Sequence, residues 1–393
     1  MFDFKAMKQR YTQELTERVI PFWEQHSIDL EQGGFFSCLE RDGRVYDTMK
    51  QMWMQWREVY MFAMLYNSEF RQKRFLQHAV QGYEFLMRHA RKPEGGYYYL
   101  LDRSGQVVTD SESGAEVFSE SFAAIACAEL FRATGEDSFR RECKSAWEEY
   151  YRHFQEAEKK QIFPGTVLRR QFGHYMISVN VLQIMKSALQ TNAYDRILEE
   201  MIAMVWRFRH PETGIILERI HVDGSFDLDS QDGRLSNPGH ALEGMWFIME
   251  NARLQNRPDD LAAALQICHD TLEYGWDKDL GGIIYLRDLQ DRPLARNECV
   301  LKAWWPQNEA ATAALLAYEL SEDPYFLDYF IRIDEFAWKN LRDPLYPEWF
   351  AYGPVNGRQQ LTFKGSRWKT FFHLPRYLIQ CSRIAHRLQT TTS

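Results

Sequence analysis

The chain has 393 residues, 45% of them hydrophobic and 15% aromatic, enough apolar material for a substantial core. A formal charge of −8 leaves no basic stripe to neutralise phosphates, which excludes a nucleic-acid partner. No run of about 18 apolar residues offers a membrane span, and Met1-Phe2-Asp3-Phe4-Lys5-Ala6-Met7-Lys8 has neither an apolar h-region nor a cleavage site, so a cytoplasmic protein is expected.

Six cysteines (Cys38, Cys127, Cys143, Cys268, Cys299 and Cys381) lie far apart with no CxxC pair. That spacing is neither a zinc ribbon nor a disulfide framework, and buried thiols are expected.

From the first residues onward, amphipathic helical stretches alternate with short pieces rich in Gly and aromatics. These pieces resemble one another and fall at 32–36, 94–99, 161–165, 212–216, 280–285 and 346–350. Self-similarity at a period of roughly 50–70 residues marks a repeat architecture. A second turn signal follows several of them, at Asp42-Gly43, Ser104-Gly105 and Asp223-Gly224, as in a β-hairpin. Between pieces there is room for two helices; 75–89 and 121–133 are examples. Six such pairs predict an all-α chain, an (α/α)6 barrel with short β-hairpins at one rim. No Pro/Ser-rich linker or charge block interrupts it, so one domain over 1–393 is expected.

The stretch 232–249 shows how an inner helix begins. Asn237 suits an N-cap, Pro238 the first helical position, and Leu242, Met245, Trp246 and Met249 recur at helical spacing. His240 lies in the first turn with Glu243 on the same face. The helix dipole disfavours an imidazolium there, which predicts a neutral, base-competent His240.

The other inner helices are expected to start near Trp53, Ser119, His174, Pro306 and Leu374. In such a barrel these starts gather around the mouth of a central cavity. They carry Arg57, Glu120, Ser121, His174, His240, Glu309 and His373, beside Trp53, Trp56, Trp246, Trp304, Trp305, Phe371 and Phe372. Aromatic walls with a few convergent titratable groups predict a small-molecule site, and sugars stack well on such walls.

Several segments carry a family resemblance. They are Gln55-Trp56-Arg57-Glu58-Val59-Tyr60, Phe118-Ser119-Glu120-Ser121-Phe122, Gly233-Arg234-Leu235-Ser236-Asn237-Pro238-Gly239-His240-Ala241-Leu242-Glu243, Trp304-Trp305-Pro306-Gln307-Asn308-Glu309, Asp343-Pro344-Leu345-Tyr346-Pro347-Glu348-Trp349 and Lys369-Thr370-Phe371-Phe372-His373-Leu374-Pro375-Arg376. Nearly the whole chain resembles the N-acyl-D-glucosamine 2-epimerase family, whose relatives include cellobiose and mannose 2-epimerases and mannose isomerase. The resemblance implies the same barrel, a homodimer and cofactor-independent proton transfer on aldoses. It further implies that His240 and His373 are the acid/base pair, that Arg57 holds the oxygens near the reacting carbon, and that Glu243 and Glu309 support the histidines or contact hydroxyls. Trp53, Glu120, Ser121, Trp246, Trp304, Trp305 and Phe372 are expected to bind the sugar.

That chemistry suits these residue types. Inverting C2 means removing a carbon-bound proton and returning one to the opposite face, so a base and an acid must flank the carbon. Histidine serves in both roles near neutral pH. Negative charge develops on O1 of an enediolate-like intermediate, where Arg57 is the electrostatic partner.

His174 departs from the pattern: the N-acyl epimerases align an apolar residue there, whereas cellobiose epimerases and isomerases have a histidine. It is therefore placed among the catalytic residues, and unsubstituted mannose, glucose or cellobiose is the alternative substrate. Some relatives use ATP as an unconsumed activator, but 156–161 is short and mixed in charge and no Walker-type loop occurs. No cofactor is expected. HxxE at His240 and Glu243 is half of a metal motif at best, and no metal is expected. An inverting glycoside hydrolase would rest on paired carboxyls rather than histidines, and a sugar-binding protein without catalysis would not require both histidines and Arg57.

Overall fold

Two kinds of helix alternate along the chain, and burial separates them. A computed structural model describes residues 2–110, 117–159, 167–295, 301–354, 358–359 and 361–391. The inner helices are α3 (Met52–Tyr66), α5 (Val117–Thr134), α7 (Phe172–Leu189), α9 (Pro238–Gln255), α11 (Trp304–Ser321) and α13 (His373–Thr391). Their observed starts lie within two residues of those expected. In α3, α9 and α11 most residues are buried, as befits a helix surrounded by others.

The outer helices α4 (Lys73–His89), α6 (Asp137–Ala157), α8 (Asp195–Trp206), α10 (Pro258–Gly275) and α12 (Pro324–Asn340) bury one stripe only. The sixth outer member is the rod α1 (Phe4–Gln13) and α2 (Ile20–His26), joined by a π-helical turn over Glu14–Val19. Each inner helix packs on the next, and each outer helix on the inner helix before it; α1 covers α13. The ring closes where Tyr60 and Phe62 of α3 meet Phe372 and Phe371, ahead of and at the entrance to α13. The fold is an (α/α)6 barrel.

Short strands set the rim. They are β1 (Cys38–Leu39), β2 (Val45–Asp47), β3 (Lys50–Gln51), β4 (Leu100–Leu101), β5 (Val107–Thr109), β6 (Arg169–Gln171), β7 (Arg219–His221), β8 (Leu235–Ser236) and β9 (Arg287–Asp288). β1–β2 and β4–β5 are the hairpins predicted around Asp42-Gly43 and Ser104-Gly105. At Asp223-Gly224 the chain turns tightly, but β7 pairs with β6 and not with the segment after the turn as a hairpin strand. A rule emerges: the strand that enters α3, α7 or α9 pairs with the strand that follows the next outer helix (β3–β4, β6–β7, β8–β9). These pairings fix how deep each inner helix begins.

The Gly-rich pieces are turns that follow the outer helices, each closed by a bridge: Ile28 to Phe35, Arg91 to Tyr97, Arg209 to Ile216, Trp276 to Ile283 and Arg342 to Trp349. The piece at 161–165 lies outside the described residues. Gly34, Gly96 and Gly282 adopt φ of 70°, 74° and 78°, which only glycine accepts without strain. The fourth residue of the neighbouring inner helix reaches each turn. Gln55 accepts from Phe35 N–H and donates to its carbonyl, both at 2.8 Å, and Gln307 does the same to Ile283 at 2.7 and 2.9 Å. Cys38, Cys127, Cys143, Cys268 and Cys381 are buried free thiols, and Cys299 lies outside the described residues. His210 is buried in its turn, bonded to Thr213.

Gln307 is fully buried, so Gln307→Leu strands a backbone N–H and a carbonyl without partners. We expect a stability loss of about 2–4 kcal/mol, read as a lower urea midpoint, with Phe35 and its turn unaffected.

Candidate active site

The polar residues of the inner-helix starts converge on one charged cluster. At its centre Arg376, one turn into α13, donates through Nη2 to Glu309 Oε1 of α11 at 2.7 Å and to Glu243 Oε1 of α9. The same Glu309 oxygen lies 2.7 Å from His373 Nδ1, and Glu309 Oε2 accepts from Trp246 Nε1 at 2.8 Å. A carboxylate only accepts, so His373 donates from Nδ1 and keeps Nε2 free for another partner.

His240 is held in the same manner by a different acid. Its Nδ1 lies 3.0 and 3.1 Å from the two oxygens of Glu218, in the residue just before β7. Asn237 caps α9 by accepting from His240 N–H, as the sequence indicated. Gly239 permits the approach of α9 to α11, since a Cβ there would meet Pro306 and Trp305 at 2.8 Å. The Trp305 indole touches both imidazoles, with ring centroids 5.0 Å from His240 and 5.6 Å from His373. Protein surrounds His240, yet 32% of its side chain is open.

Arg57 completes the cluster. Its guanidinium lies over Trp53, Phe122 and Phe372 at 4.7, 4.2 and 4.7 Å. It forms no hydrogen bond or ion pair among the described residues, and its Nε is a buried donor without a partner. A cation held by ring faces with its donors unused is a ready site for an oxyanion.

The electrostatics differ between the two histidines. Burial drives His373 well below the ordinary histidine value; Glu243 opposes this, while Arg376, Arg57 and His240 add to it. Burial also pulls His240 down, but Glu218, with help from Glu243, outweighs it and leaves His240 raised. The neutral His240 expected from the helix dipole is thereby corrected, because a carboxylate from another repeat outweighs the dipole. Burial lowers Arg57 to about 9, so it remains cationic at neutral pH. Arg376 is raised by Glu309 and Glu243 in spite of its burial.

The N-acylglucosamine 2-epimerase (GlcNAc 2-epimerase) family model matches residues 34–376. The chain belongs to this family. The human N-acylglucosamine 2-epimerase is 33% identical over 390 residues, 97% of this chain and 90% of the human protein. A cellobiose 2-epimerase of Bacteroides fragilis is 23% identical over 401 residues, 96% of this chain and 98% of that protein. The crystal structure of a D-mannose isomerase shares the fold, with a TM-score of 0.83 at 20% identity over 97% of this chain and 98% of that one. Membership makes the protein an isomerase of the racemase and epimerase class.

Against this epimerase fold the sequence-predicted residues divide. His240, His373, Arg57, Glu243 and Glu309 come together, with Trp305 between the histidines and Trp53 and Phe372 against Arg57. Trp304 sits edge-on to His373, centroids 6.2 Å apart. His174 stands apart: it lies between Phe118 and Phe154, and burial alone lowers it to about 4. No charged group among the described residues acts on it, so its surroundings suit a neutral imidazole.

Five of the residues expected at the pocket are engaged by other partners. Glu120 accepts from Tyr97 N–H at 3.2 Å, serving its turn as Gln55 and Gln307 serve theirs. The Ser121 hydroxyl donates back to Phe118 O. Trp246 braces Glu309 instead of offering its indole N–H to a sugar. Trp56 and Phe371 face outward, onto Tyr83 and Tyr97 and onto Trp23 and Phe62.

Two functional groups escaped sequence reasoning. Glu218 is contributed by the segment just before β7, where helical periodicity carries no signal. Arg376 stood in a quoted motif, but its role follows from the helices it faces. Glu243, Glu309 and His373 place ligand-type atoms within 4.8 Å of one another; Arg376 already bonds both carboxylates, supplying the positive charge such a cluster needs.

Removing that charge should be severe. Arg376→Gln leaves two buried carboxylates facing each other, and we expect it to cost about 3–5 kcal/mol and nearly all turnover. Thermal melting and kcat measured on the same preparation check both.

Proposed function

We propose that the protein interconverts N-acyl-D-glucosamine and N-acyl-D-mannosamine by passing the C2 proton through His240 and His373. One observation carries this reading: two histidines from separate inner helices, each oriented through Nδ1 by a carboxylate, beside an arginine with unused donors. After ring opening, one neutral imidazole takes the proton from C2, and the C–H electrons move onto the C1 carbonyl oxygen. Arg57 faces the resulting enediolate charge. The other histidine, as imidazolium, gives a proton to the opposite face of C2, and the carbonyl re-forms. Nitrogen at C2 prevents a simple ketose product, so only epimers result.

Identity of 33% to an N-acylglucosamine 2-epimerase against 23% to a cellobiose 2-epimerase supports the N-acyl substrate. A second reading, epimerisation or isomerisation of mannose, glucose or cellobiose, draws on His174. A hydrolase is disfavoured because neither carboxyl at the centre is free: Arg376 bonds both, and His373 and Trp246 take the rest of Glu309. The reading includes a cytoplasmic homodimer working on a small sugar without metal or ATP. No helix among the described residues is long and apolar enough to cross a membrane.

His240→Ala and His373→Ala should each lower kcat by about 100-fold or more while melting within a few degrees of wild type. Retention of a tenth of the rate by either removes that histidine from the mechanism.

An NMR panel in D2O should show deuterium entering C2 of N-acetylglucosamine and N-acetylmannosamine, unaffected by EDTA. The kcat/KM for N-acetylmannosamine should exceed that for mannose by more than about tenfold, or about 1.4 kcal/mol. The reverse preference selects the second substrate reading, and loss to EDTA with recovery on a divalent ion overturns the metal-free one.

A further inference from the structure

We propose that Glu218 is the positioning residue that keeps the proton shared by the two histidines on His240 in the resting site and presents His240 Nε2 to the sugar. This rests on the two-histidine reading above. The geometry is specific. Both Glu218 oxygens lie at 3.0–3.1 Å from His240 Nδ1, and among the described residues the carboxylate has no other side-chain partner. Its backbone is pinned on both sides, with N–H donating to Leu235 O at 2.8 Å and the carbonyl accepting from Phe172 N–H at 2.9 Å. Leu235 lies in the strand that leads into α9, and Phe172 opens α7. The carboxylate is therefore built into the same rim that carries His240.

The partner histidine is treated differently. Glu309, which holds His373, also bonds Arg376 and Trp246, so its charge is shared three ways. The charged and titratable groups facing His240 are Glu218, Glu243 on its own helix, Arg57 of α3 and His373 of α13. Glu243 is tied to Arg376, and Arg57 opposes protonation. Among the described residues, Glu218 is thus the one unshared carboxylate at either imidazole. A single proton on the pair resides on His240, leaving His373 as the resting base.

The active form carries one proton, so the alkaline limb of kcat/KM reports its loss from His240. Neither sugar ionises, and the ratio of the two kcat/KM values must equal a pH-independent equilibrium constant. The limb is therefore the same in both directions. In Glu218→Gln the charge is gone and the shape is kept; the alkaline limb should move to lower pH by about one unit, equally with N-acetylglucosamine and N-acetylmannosamine. Glu218→Asp, with the charge kept but withdrawn, should move it less and serves if the Gln variant does not fold. A rate loss with the limb unmoved overturns the assignment. His240→Ala separates the two readings: if it retains turnover, the histidine pair itself is wrong. If it is dead while the Gln limb stays put, only the role of Glu218 fails.

Discussion

Arg376 ties three helices together through one guanidinium. Glu243 and Glu309 are buried on facing inner helices, and two carboxylates at such range are tolerable only with a cation between them. Placed there, Arg376 joins α9, α11 and α13 and leaves Glu309 correctly aimed at His373. The aromatic faces of Phe372 and Trp246 close over the same guanidinium at 4.6 and 5.3 Å, keeping water from the cluster. Its attraction is strong because the site is dry.

That anchoring makes the two histidines unequal. Each is locked by hydrogen bonding through Nδ1, so both have one free nitrogen, but their carboxylates carry different amounts of uncompensated charge. A proton-shuttling pair works only if one member is charged and the other neutral at the start of each turnover. Here the inequality comes from what the supporting acids touch. Arg57, caged by three rings and otherwise unengaged, adds positive potential that opposes a second proton on the pair.

The barrel was legible because its repeat shows in the Gly-aromatic turns, and inner-helix starts could be counted from them. His240, Glu243, Glu309, His373 and Arg57 were legible because each falls in the first two turns of such a helix or beside its start. Glu218 was not, since its link to His240 spans 22 residues from the segment before β7 to a helix. The turn contact of Glu120 was missed for a different reason. It occupies the same register in α5 as Gln55 in α3 and Gln307 in α11, and comparing the three helices would have assigned it to its turn. Burial then raises it to about 7, the consequence of an acid standing where its counterparts are amides. Trp246 and Ser121 show that residue type and helical position together do not determine which neighbour a side chain meets.

The barrel closes between its most distant elements. α13 rests on α1, Thr370 reaches Glu58, and Arg383 reaches Glu69. During synthesis, α9 and α11 therefore emerge before the helix that bears both Arg376 and His373. Until that helix docks, Glu243 and Glu309 have no cation between them, and the incomplete ring carries their repulsion. Docking α13 relieves the repulsion in the same event that delivers the second histidine. Assembly and competence are one step, and a partly formed barrel is both under electrostatic stress and without a proton relay.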